Sequence, residues 1–216
     1  VLNIDLLYQH FLRYKMKATK ETIFPTVTHV FDNVLEPEYI DSMKEDIIKE
    51  SIKRERDQWQ SNPRLHQHKK YKALADKALE AARYVLDEQS YEYDVCYITN
   101  MWSNIMKPGE MHRPHTHSNN LLSGVFYVDS DQGANIQMYD PRPQADVLRP
   151  QPKNYTKENS TIWFFPSITN RMILFPSWLQ HFVPTNKSKK DRISIAFNVM
   201  LKGKIGSPEE YQSAEF

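Results

Sequence analysis

Apolar and polar residues alternate along this chain with two different periods, and the change comes near residue 90. Before it the spacing is helical. Leu6, Leu7, His10, Phe11 and Tyr14 recur at three- and four-residue steps, as do Ile40, Met43, Ile47, Ile48 and Ile52 after a turn at 32–37. Such a stripe predicts an amphipathic helix with one buried face. Residues 71–88 predict another, burying Leu74, Ala78, Leu79, Ala82, Val85 and Leu86. Between them, 55–70 is polar, contains Asn62-Pro63 and reads as a loop.

From Tyr91 onward, short apolar runs alternate with Pro, Asn, Asp and Gly. Strands are predicted at 93–106, 121–129, 135–139, 161–165, 172–175, 181–183 and 192–201. So many short strands in succession suggest a jelly-roll barrel or sandwich. Helices preceding them would cover the outer face of one sheet. The expected fold is α+β and mainly β. Residues 1–216 form one domain: 1–90 a mostly helical support, 91–201 the β core and 202–216 a tail.

Composition narrows the function classes. With 28 basic and 27 acidic residues, the chain has no charge excess to draw it to nucleic acid or an anionic membrane. No apolar run reaches the roughly 20 residues that span a bilayer. The first residues lack the basic-then-apolar order of a signal peptide. The single cysteine, Cys96, fits a reducing compartment, so a cytoplasmic setting, bacterial or in an infected cell, is expected.

The candidate chemistry lies in His112-Arg113-Pro114-His115-Thr116-His117. Imidazole is the commonest metal ligand. On an extended chain, i and i+2 project to one side, so His115 and His117 share a face and His112 points away. Pro114 pushes Arg113 toward extended backbone. Taken alone, the cluster reads equally as a metal site or as a polar loop. His66 and His68 share the spacing but sit among Gln67, Lys69 and Lys70, and read as solvated. Trp102, Trp163, Phe164, Phe165 and Trp178 are expected in the core.

Downstream, a strand ending in His181-Phe182-Val183 runs into a turn at 184–190 and then a strand from Arg192. A hairpin there sets His181 opposite Arg192. Strand parity puts Arg192, Ser194, Ala196 and Asn198 on one face, and Ile193, Ile195, Phe197 and Val199 on the other. The second set is a packing face. The first reads as a pocket wall whose guanidinium can grip a carboxylate, or as a surface face with a salt bridge.

Taken in order, several segments resemble the Fe(II)/2-oxoglutarate-dependent oxygenases. They are Trp102-Ser103-Asn104, His115-Thr116-His117, Leu122-Ser123-Gly124-Val125-Phe126-Tyr127, Tyr139-Asp140-Pro141-Arg142, Leu174 through His181, and Arg192-Ile193-Ser194-Ile195-Ala196-Phe197-Asn198. Within that superfamily the chain resembles a family of oxygenases found in marine bacteria and phages, over about residues 97–201. The resemblance implies a double-stranded β-helix (a jelly-roll, cupin-like fold) with N-terminal helices packed on one sheet. It implies Fe(II) bound by His115 and His181, with Arg192 pairing the distal carboxylate of 2-oxoglutarate. Asn104, Tyr127, Ser194 and Asn198 are then candidates for further hydrogen bonds to that co-substrate.

One departure stands out: the superfamily usually has Asp or Glu where this chain has His117. His117 is taken as the third ligand, with water or Asp140 as the alternatives. A second departure is Ile168-Thr169-Asn170, where a Pro-Gly type turn is common; Asn tolerates the left-handed conformation the turn needs. The implied function is a dioxygenase that hydroxylates a small molecule or a protein side chain, releasing succinate and CO2. Two other readings are a cupin-like zinc or iron module without 2-oxoglutarate turnover, and a carbohydrate-binding or structural phage jelly roll. Oligomeric state stays open, a homodimer included.

Overall fold

The alternating strand patterns resolve into two antiparallel sheets that face each other. A computed structural model describes residues 17–53 and 59–216. The helical spacing at Leu6–Tyr14 and residues 55–58 of the expected loop lie outside that range.

The elements in chain order are β1 (His29–Asp32), α1 (Pro37–Ser51), β2 (Trp59–Gln60), α2 (Lys72–Glu88), β3 (Val95–Met106), β4 (His112–His115), β5 (Leu122–Asp129), β6 (Ile136–Tyr139), β7 (Ile162–Phe165), β8 (Arg171–Pro176), β9 (His181–Val183), β10 (Arg192–Lys202), β11 (Lys204–Ser207) and β12 (Gln212–Glu215). The larger sheet has the order β1-β8-β5-β10-β3-β2 and the smaller β4-β9-β6-β7.

Pairing in the β core is nested. β6 pairs with β7, β5 with β8, β4 with β9 and β3 with β10, all antiparallel. The chain is thus one long two-stranded ribbon, with its midpoint in residues 140–161, wound so that successive pairs fall in alternate sheets. This is the double-stranded β-helix.

It also corrects the expected hairpin. His181 and Arg192 are not cross-strand partners, because β9 pairs with β4 and β6, whereas β10 pairs with β3 and β5. Pro184 and the buried Asn186 lie on the crossover. The Asn186 amide donates to the carbonyls of Met106 and Lys190, tying the crossover to the end of β3 and the approach to β10.

Strand parity produces two cores. Ile193, Ile195, Phe197 and Val199 turn outward from the barrel and pack with Ile40, Met43 and Ile47 of α1 and Leu74, Ala78, Ala82 and Val85 of α2. Met106, Val125, Tyr127, Ile173 and Phe175 turn inward and meet Ile136, Met138 and Val183 of the smaller sheet. The described helices therefore cover the larger sheet.

Among the described residues no helix covers the outer face of the smaller sheet. Phe164 is accordingly exposed, and Trp178, on the turn before β9, is exposed too. Trp102, Trp163 and Phe165 are half-buried, so none of the five aromatics assigned to the core is fully inside it. The tail is also more ordered than expected, with β11 and β12 forming a hairpin. Asn170 does adopt the left-handed conformation (φ 66°). Its side chain accepts from Leu35 N–H and donates to Leu35 C=O, joining the turn to the start of α1. No described helix is long and apolar enough to cross a membrane.

Candidate metal and co-substrate site

His115 on β4 and His181 on β9 are direct cross-strand partners. His117 follows β4, and its N–H donates to Ser177 C=O, just before β9. One ring nitrogen from each of His115, His117 and His181 lies within 4.8 Å of the other two. The ring centroids are 4.4 to 5.2 Å apart. The set runs from the exposed His115 through the half-buried His117 to the buried His181.

The backbone fixes two of these rings. His115 Nδ1 lies 2.7 Å from Arg113 C=O, and His181 Nδ1 lies 2.9 Å from Leu179 C=O. A carbonyl only accepts, so each Nδ1 carries the proton and each Nε2 keeps its lone pair. Burial pushes the pKa of His117 down to about 4 and that of His181 to about 3. The neighbouring imidazoles add to both shifts, opposed by a hydrogen bond on each ring. Neutral imidazoles are what a metal ion requires. The donor set therefore fits a divalent ion such as iron or zinc.

Asp140 takes no part in this cluster. Arg142 holds its carboxylate through two hydrogen bonds of 2.9 and 2.8 Å, and keeps its pKa low. His66 lies on a short 3-10 turn and His68 between that turn and the next, both outside the cluster. His112 departs from expectation. The register shifts between His112 and His115, so simple parity fails across Arg113-Pro114. His112 lines the same cavity as the other three. Burial and then the Arg192 charge lower its pKa to about 4.

That cavity measures about 410 Å³ and runs between the sheets, with Trp102, Asn104, Val125, Phe175, Arg192 and Ser194 along its walls. Asn104 and Tyr127 flank Ser194 on the two neighbouring strands. Arg192 is 3% exposed, and its Nη1 donates to Ser194 Oγ at 3.1 Å. The guanidinium carbon sits 4.9 Å from the centre of the Tyr127 ring. Arg192 Nε and the Tyr127 hydroxyl are buried without a hydrogen-bond partner. No carboxylate pairs with Arg192 among the described residues. Asn198, at the other end of the β10 row, takes a hydrogen bond from Ser123.

Sequence reasoning missed Gln60, which lines the cavity from β2 and donates to Asn104 Oδ1 at 2.9 Å. A two-residue edge strand carries no periodic signal by which to find it.

Residues 100–198 match a family model described as "Putative 2OG-Fe(II) oxygenase". Among curated proteins none matches. Solved structures share the fold at low sequence identity. SnoN, described as a non-heme alpha ketoglutarate dependent epimerase of nogalamycin biosynthesis, has a TM-score of 0.63 at 9% identity, over 93% of this chain and 83% of that one. A Pseudomonas putida prolyl-4-hydroxylase has a TM-score of 0.57 at 11% identity, over 82% and 89%. HygX from Streptomyces hygroscopicus, solved with nickel and 2-oxoglutarate bound, has a TM-score of 0.60 at 11% identity, over 82% and 83%. The segment that matches the 2-oxoglutarate- and Fe(II)-dependent oxygenase family model carries all three clustered histidines and Arg192 on a double-stranded β-helix.

Proposed function

We propose that this chain hydroxylates an organic substrate, with His115, His117 and His181 binding Fe(II) and Arg192 binding the distal carboxylate of 2-oxoglutarate. One observation carries the reading: a buried guanidinium with no acid beside it among the described residues. Burying an unpaired cation is unfavourable by several kcal/mol, and an anionic ligand beside it in the cavity removes that penalty. Arg192 supplies a fork of parallel N–H donors. The Tyr127 hydroxyl and Ser194 Oγ stand ready to complete the carboxylate's hydrogen bonds, and Asn104 flanks them.

Bound Fe(II) supplies the activation of O2, which converts 2-oxoglutarate to succinate and CO2, with one oxygen atom passing to succinate and the other to the substrate as a hydroxyl. The protein's own part is positional. Arg192 and Tyr127 hold one end of the co-substrate and the histidines face the other. Val125, Phe175 and Ile136 keep the space between them poor in water. The substrate, a small molecule or a protein side chain, would approach past the exposed His115 and Arg113. The buried, unpaired Cys96 suits a reducing cytoplasm.

The test is succinate formation from 2-oxoglutarate in the presence of added Fe(II). Wild type should form succinate; His181→Ala should not. No turnover in wild type, or unchanged turnover in His181→Ala, would sink the proposal. Three imidazoles without a carboxylate also suit zinc. Protein purified with stoichiometric zinc and showing no 2-oxoglutarate binding would point instead to a cupin-like metal module.

A further inference from the structure

Residues 59–64 lie along β3 and are tied to it mainly through the backbone. β2 sets Trp59 opposite Ile105 and Gln60 opposite Asn104. Ser61 N–H donates to Ser103 C=O at 3.0 Å, and Ser103 N–H donates back to Ser61 Oγ at 3.0 Å. Met101 N–H donates to Pro63 C=O at 2.9 Å. Strand alternation then separates the two β2 residues. Trp59 and Ile105 pack in the core on the helix side. Gln60 and Asn104 line the cavity on the other side.

Gln60 is exposed at the rim, whereas Asn104 is 4% exposed. One side-chain hydrogen bond joins them, from Gln60 Nε2 to Asn104 Oδ1 at 2.9 Å. That bond decides which end of the Asn104 amide looks where. A side-chain amide has one oxygen that accepts and one NH2 that donates. With the oxygen turned to β2, the NH2 turns away from it, toward the cavity and the β10 row, where Ser194 is the cross-strand partner of Asn104. A carboxylate only accepts. The NH2 end is therefore the useful one against a carboxylate of 2-oxoglutarate, and the oxygen end would repel it.

We propose that Gln60 is a positioning residue for 2-oxoglutarate binding. Its amide N–H holds the Asn104 oxygen and so aims the Asn104 NH2 at the carboxylate that Arg192 grips. The inference rests on the co-substrate reading above. It also accounts for a strand of only two residues at the sheet edge. The backbone bonds around β2 fix the Gln60 Cα, so only the side chain's own rotation remains to be ordered.

Calorimetric titration of 2-oxoglutarate into Co(II)-loaded protein tests this. Gln60→Met removes the donor at similar length and leaves the Asn104 amide free to turn. It should weaken binding roughly three- to tenfold, the effect of one hydrogen bond of ordinary net strength. In turnover, KM for 2-oxoglutarate should rise by the same factor with kcat unchanged. Gln60→Lys keeps an N–H donor at this position and should bind at least as tightly as wild type. Asn104→Ala removes the group being aimed, so adding Gln60→Met to it should change nothing further. Wild-type affinity in either Gln60→Met or Asn104→Ala overturns the proposal. So does an undiminished effect of Gln60→Met in the Asn104→Ala background, which would make Gln60 a direct contact. Should Asn104→Ala not fold, Gln60→Lys decides: binding as weak as in Gln60→Met overturns the role. The co-substrate reading fails separately, if wild type does not bind 2-oxoglutarate or if Arg192→Met binds it normally.

Discussion

Arg192 is the residue at which stability and function oppose each other most directly. Its charge is buried, and its one described protein hydrogen bond goes to Ser194. Replacing it with an apolar side chain of similar length removes the uncompensated charge. Arg192→Met is therefore expected to abolish 2-oxoglutarate binding, read by calorimetric titration. The same change should make the ligand-free protein more stable by about 1 kcal/mol or more, read by urea unfolding. A loss of stability in Arg192→Met would mean that the guanidinium has a structural partner. The histidines give a pH dependence. His112, His117 and His181 have pKa values near 4, 4 and 3 in the fold against an ordinary value of 6.5. Below about pH 6.5 the unfolded chain therefore binds more protons than the folded one. Stability is full above that pH and is lost as the pH falls toward 4. The melting temperature of metal-free protein should decline through that window, and His181→Ala should flatten the decline. Residue types and spacing were enough to single out His115, His117, His181 and Arg192. They were not enough for His112, because a register shift is a property of the paired strands and leaves no mark on one strand's alternation.

Strands and helices were legible wherever their period was long enough to repeat. The run at 181–183 matches β9, and those at 121–129 and 192–201 match β5 and β10 to within a residue. Short edge strands were not: β1 and β2 borrow their extended form from the neighbours they pair with. Exposure on the smaller sheet was also hidden, since nothing in Trp178 or Phe164 themselves tells which sheet the helices cover. Packing between neighbouring strands is close at Gly124 in β5. A Cβ there would fall 2.3 Å from Phe197 Cζ on β10. Phe197 is fully buried between the larger sheet and the helices and has no free direction in which to move. Gly124→Ala should therefore destabilise the fold by about 1–3 kcal/mol, seen as a lower denaturation midpoint at unchanged slope. A midpoint equal to wild type would show that the Phe197 ring can yield.

At the scale of the whole molecule, the fold class followed from the change of period near residue 90, and the helices do cover one sheet. Which strands pair with which did not follow. A local hairpin between 181 and 192 is the shortest connection consistent with the turn residues there. The chain forgoes it for partners much farther off, because β9, lying between β4 and β6, sets Val183 in the inner apolar core with Ile136 of β6.

The nested pairing also decides where the chain can change length. Each strand's partner is fixed by its distance from the ribbon's midpoint, so residues added at 140–161 extend the tip and leave every pair in register. One residue added inside β5 or β8 would turn its later side chains to the opposite face. A loop insertion at 148–149 is accordingly expected to leave Co(II) affinity at the wild-type level, and a fall of tenfold or more would contradict this. The chain's longest loop can thus drift in length while His115 stays opposite His181.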